Sequence, residues 1–189
     1  MTLVQLIVER GEEAVDELPK GLRENREAMA ATIENNVRRL IIDEQPINPK
    51  YYEKMSELLD ALIAQRRQKA LDYKAYLAMI VELTLKVSRP EAGSTYPQGI
   101  ESPPVRALYD NLEGVGALRG RERSEEGYGD PRREKAIAID EAIQQVKKAD
   151  WRGNRFKERE VRNAIRAEVD GNDALTNELF EIVKAQREY

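Results

Sequence analysis

Four arginines near the end of the chain stand at a spacing that can do chemistry. In A-D-W-R-G-N-R-F-K-E-R-E-V (149–161) and its continuation, Arg155, Arg159, Arg162 and Arg166 fall at i, i+4, i+7 and i+11. If this segment is helical, their guanidinium groups share a stripe about 80° wide or less, spread over about 16 Å. Such a stripe can track phosphates, each contact releasing counterions and making the binding salt-dependent. It can equally dock on an acidic protein partner, or pair with carboxylates of its own chain, where an exposed pair contributes at most about 1 kcal/mol. Phe156, Val161, Ile165 and Val169 are expected to face a core. Glu158, Glu160 and Glu168 are expected to project elsewhere, leaving the stripe without an acid from its own helix.

The segment begins with Trp151, the only tryptophan of the chain. Gly153 permits a tight turn, Asn154 suits the cap of a helix opening at Arg155, and the indole can pack back as an anchor that sets the angle of that helix. A base-stacking role competes with this one, although one aromatic without neighbours makes a poor platform.

Other candidates for chemistry are weaker. Histidine and cysteine are both absent, which removes imidazole bases, Ser-His and Cys-His arrangements, disulfides and the usual zinc ligands. A-I-A-I-D-E-A (136–142) imitates the metal-binding strand of an ATPase, but no glycine-rich phosphate loop accompanies it, and Ile139, Ile143 and Val146 fit the inner face of a helix. D-G-N-D (170–173) has the oxygen-rich look of a calcium loop but lacks the distal glutamate, so a turn capping the next helix is expected. Neither a catalytic residue nor a metal site is therefore assigned to this chain.

The elements that must position these residues are helical. Of the 189 residues, 35% are charged and only 6% aromatic, a mixture typical of helices with solvated outer faces. Net charge is −4, so any attraction for nucleic acid must be confined to a local patch. The first ten residues are too short an apolar run to span a membrane and lack a basic leader, so no export signal and no membrane partner are expected, and the absence of cysteine is compatible with a cytoplasmic address. Residues 3–18 are expected to be helical. Met29, Ile33, Val37, Leu40 and Ile41 form the stripe of a helix ending about Glu44. Asn48-Pro49 opens a helix carrying Tyr52, Met55, Leu59 and Leu62, and a break near Leu71 leads to one carrying Tyr73, Leu77, Ile80, Thr84 and Val87. Joined so tightly, the two are expected to form a long antiparallel hairpin. Residues 89–104 read as a linker, Ser102-Pro103 as the start of a helix, and 114–134 as a mobile loop. Helices over about 131–149, 155–169 and 173–187 complete an all-α bundle of about seven helices. It divides into N-terminal helices (1–88), a linker (89–104) and C-terminal helices (105–189), which could also form one continuous domain.

Several stretches, in order, resemble the C-terminal helical region of the restriction (R) subunit of type I restriction-modification enzymes. They are I-E-N-N-V-R-R-L-I-I-D-E (33–44), N-P-K-Y-Y-E-K-M-S-E-L-L (48–59), Tyr96-Pro97, R-A-L-Y-D-N-L (106–112), D-W-R-G-N (150–154) with V-R-N-A-I-R, and the closing V-K-A-Q-R-E-Y. The resemblance implies a non-catalytic assembly domain of an ATP-dependent DNA translocase and endonuclease. Its ATP and magnesium would be bound elsewhere in the parent subunit, and its partners would be the methyltransferase and specificity subunits, with DNA a second candidate. It also makes 114–134 an insertion, Met1 the start of an excised piece or of a truncated or split gene, and Tyr189 a position near the family's natural end. The rival reading is a free-standing helical regulatory or DNA-binding protein.

Overall fold

A computed structural model describes residues 3–11, 13, 25–93, 96–112 and 130–189. Among them are eight helices of eight residues or more and no strand: α1 (Leu3–Arg10), α2 (Arg26–Glu44), α3 (Pro49–Arg67), α4 (Tyr73–Ser88), α5 (Pro103–Asn111), α6 (Pro131–Val146), α7 (Arg155–Glu168) and α8 (Asp173–Ala185). A single helical turn follows α4 at Pro90–Gly93. The count exceeds the expected seven by one. No helix among the described residues is long and apolar enough to cross a membrane. The chain forms two compact units, residues 1–45 with 51–95, and residues 46–50 with 96–189.

In the first unit α4 packs against α1 and α2. Asn25 and Asp72 cap α2 and α4 by accepting from the amides of Ala28 and Ala75, 3.0 and 2.8 Å away, which satisfies donors that no helical carbonyl can reach. Lys69, at φ 56°, ends α3 in the left-handed region, and the Ala70 amide turns back to the Gln65 carbonyl at 3.0 Å. The apolar stripes place Met29, Ile33, Val37, Ile41, Leu59 and Ile80 in one core. The expected helix over 3–18 is observed as α1 up to Arg10, and residues 14–18 lie outside the described ones.

Inside this core is one ion pair. Arg66 donates from Nε to Glu34 at 2.7 Å, and the Tyr76 hydroxyl donates to the same oxygen at 3.1 Å. Glu27 binds the other side of the guanidinium at 2.5 Å. Tyr76 is fully buried. Burial, with Glu34 beside it, pushes its hydroxyl well above the ordinary range, so it remains a donor at any working pH. The network joins α2, α3 and α4 by geometry that apolar contacts alone would leave adjustable.

The second unit has its own core, with Leu108, Ile139, Ile143, Val161, Ile165, Leu179 and Val183 at the centre. α6 packs against α5 and α7, and α8 against α5 and α7. The short segment 46–50 belongs here because its polar groups are tied down. The Asn48 amide donates to Asp110 at 2.7 Å, Asn111 donates to Asn48 at 2.9 Å, and the Ile47 carbonyl accepts from Gln186 at 2.7 Å. The stretch read as a linker divides likewise, since Ile100 is buried in this core and Tyr96 donates to Asp110 at 2.9 Å. The expected loop 114–134 lies outside the described residues as far as 129. Its last four residues are helical, because Asp130 caps the Arg132 amide at 3.0 Å and Pro131 suits the first turn.

Replacing Glu34 by Ala leaves Arg66 half-stripped of its partners, and urea denaturation should show a loss of about 3 kcal/mol. Glu34→Gln, which keeps the hydrogen bonds, should lose about 1 kcal/mol. Equal losses would contradict the assigned role of the charge.

Candidate interaction face

The corner at 149–154 sets the direction of α7. Asp150 and Gly153 both adopt positive φ, 57° and 79°, turning the chain sharply on either side of Trp151. Trp151 is 3% exposed and meets Phe180 of α8 edge-on, with centroids 6.1 Å apart. The indole is an anchor, as the sequence suggests, and its ring contact is with the last helix. The buried face leaves no platform for a base. Asn154 caps α7, its side chain accepting from the Phe156 and Lys157 amides at 3.1 and 3.3 Å. Glu158 reaches back to the Gly153 amide at 2.8 Å.

Arg152, which sequence reasoning passed over, is the clasp of this corner. Its guanidinium lies 4.8 Å over the indole and donates to the carbonyls of Lys184 at 2.9 Å, Tyr189 at 2.5 Å and Gln186. A planar fork with five donors suits the open carbonyls at the end of a helix. The Tyr189 ring is held from the other side, where its hydroxyl donates to Asp140 at 2.5 Å. The D-W-R-G-N segment therefore joins the start of α7 to the end of α8.

The four arginines of the stripe do not share one fate. Arg162 is half-buried, its guanidinium 4.1 Å over the Phe180 ring and donating to Asn177. Arg166 pairs with Asp173 at 2.9 Å. Arg155 and Arg159 are exposed, with neither an ion pair nor a hydrogen bond among the described residues. Stripe geometry explains the division, since Arg162 lies nearest the buried edge at Val169 and its stem is drawn over the core.

Two expectations about neighbours need correction. Phe156 does not face the core; it is 83% exposed. Nine residues separate it from Ile165, two and a half turns, which puts it on the opposite side of the helix. Glu158 does not project away from the stripe either. Its carboxylate sits 3.1 Å from Lys184 and near Arg162. The Gly153 amide, then Lys184 and Arg162, hold it below the ordinary glutamate range. Glu160 pairs with Lys148 at 2.9 Å.

The face that remains open carries a bare aromatic ring and, to one side of it round the helix, two unpaired guanidinium groups, on a helix whose start is fixed by a buried indole. Its chemistry is that of contact: aromatic and arginine side chains are the ones that carry most binding energy at protein interfaces. No family model, no curated protein and no solved structure matches the chain.

Arg152→Ala should destabilise the chain by about 1–2 kcal/mol, followed in urea by fluorescence of Trp151. Arg152→Lys should recover less than half of the loss, because a point charge cannot reach three carbonyls at once. Full recovery with lysine would rule out the fork geometry as the cause.

Proposed function

We propose that this chain is the non-catalytic helical assembly region of a type I restriction subunit, and that it docks a DNA-translocating motor onto its methyltransferase and specificity partners. The observation that carries this reading is the open patch of Arg155, Phe156 and Arg159, held in a fixed direction by the corner at Trp151. The ordered series of resembling stretches supports it, and D-W-R-G-N, the most distinctive of them, is a structural joint in this fold. ATP and magnesium belong, on this reading, to domains of the parent subunit, and the address is cytoplasmic. The long antiparallel hairpin over 48–88 is part of the same reading. The hydroxyls of Tyr51 and Tyr52, at the head of α3, donate to the carbonyls of Lys86 and Val87, at the tail of α4, at 2.8 and 3.4 Å, which supports it.

Within the stripe, Arg155 and Arg159 are the residues free to meet a partner subunit or the DNA it carries. Arg162 and Arg166 serve chiefly to join α7 to α8. Charge reversal of Arg155 and Arg159 together should weaken capture of the methyltransferase–specificity complex by about tenfold or more. Substituting Arg162 and Arg166 by Gln should cost stability and leave capture nearly unchanged. Undiminished capture by the Arg155→Glu, Arg159→Glu chain would end the docking assignment. If phosphates are the target instead, log K against log salt should have a slope of about −2, one increment for each free arginine.

A further inference from the structure

The open face has its complement on the same unit. A groove of about 430 Å³ is lined by Pro46, Pro49, Ile182 and Ala185, with Glu178 and Glu181 at its edge. Both glutamates are exposed, and neither makes an ion pair among the described residues. One surface thus presents a ring beside two unpaired cations, and the other an apolar groove whose lining includes two unpaired anions.

The two surfaces are neighbours. Lys184, which also lines the groove, pairs with Glu158 in α7 at 3.1 Å, and its carbonyl accepts from Arg152 at 2.9 Å. The head of α7 and the tail of α8 therefore lie side by side. A projecting group next to a recess of opposite charge is the layout of a self-complementary surface, in which a two-fold axis lets each copy fill the other's recess.

We propose that this face pairs with a second copy of the chain in a two-fold dimer, each Phe156 seated in the other copy's groove, with Arg155 and Arg159 against the other copy's Glu178 and Glu181. Entry of the ring removes the most exposed large apolar side chain of the described residues from water. The charge pairs select the register more than they add affinity. A contact this small belongs at the low end of specific interfaces, with a dissociation constant on the order of 100 µM. This contact does not depend on the assembly reading; a methyltransferase or specificity subunit would compete for the same face.

Sedimentation velocity of the full chain, from about 5 µM to about 1 mM to bracket that affinity, tests it. The expected result is a monomer–dimer equilibrium that weakens with added salt. Phe156→Ala should raise the half-dimerisation concentration by about tenfold or more with unchanged circular dichroism, since the residue is 83% exposed in the monomer. Arg155→Glu with Arg159→Glu should do the same, and adding Glu178→Lys with Glu181→Lys in that chain should restore pairing to within about threefold. A monomer throughout, a dimer indifferent to Phe156→Ala, or growth beyond the dimer would each overturn the proposal. So would a monomer that binds duplex DNA through Arg155 and Arg159, which would reassign the face to phosphates.

Discussion

The direction of α7 depends on how the Trp151–Arg152 corner is held. The indole is buried edge-on against Phe180, while the next residue stretches over it to take three carbonyls at the end of α8. An aromatic ring gives burial without direction, and hydrogen bonds to fixed carbonyls supply the direction. With both in place, the first turn of α7 has one way to leave the corner. Asn154 then caps it, and Phe156 points away from the core because the helical period allows nothing else.

The two units solve a common problem by similar means. Each has an apolar core sufficient to condense helices, and each adds a polar tie that selects one arrangement. In the first unit the tie is Arg66 between Glu34 and Glu27, with Tyr76 on the same carboxylate. In the second it is Asn48 with Asp110 and Asn111, which holds residues 46–50 among helices far along the chain. The buried members of these ties, Glu34, Tyr76, Asn48 and Asn111, are partnered, as low-dielectric surroundings require. Side chains outside such ties stay exposed, and on α7 these include Arg155, Phe156 and Arg159.

Helices were legible in the sequence because their evidence is local. The stripe of Met29, Ile33, Val37 and Ile41, the caps at Ser102 and Asn154, and the turn before Asp173 are all decided within a few residues. Tertiary choices were not legible. Arg152 lies 32 or more residues from the carbonyls it takes, and Asn48 is 62 from Asp110, so no spacing rule could join them. The placing of Phe156 failed for a different reason. Its apolar character points to a core, whereas its angle, half a turn round the helix from Ile165, puts it among the exposed positions. Arg162 shows a further limit of spacing: its angle puts it on the stripe, but an arginine stem at the edge of a core packs on aromatic surface.

If the exposed start of α7 is the contact surface proposed above, with Arg155 and Arg159 as its free charges, arginine-selective labelling read residue by residue by mass spectrometry will report it. In the free chain at low concentration, those two should react first, while Arg152 and Arg162 lag. Addition of the methyltransferase–specificity complex should protect Arg155 and Arg159 and leave Arg39, exposed on α2, reacting as before. Protection centred on other arginines, or reaction of all of them at one rate, would contradict the account.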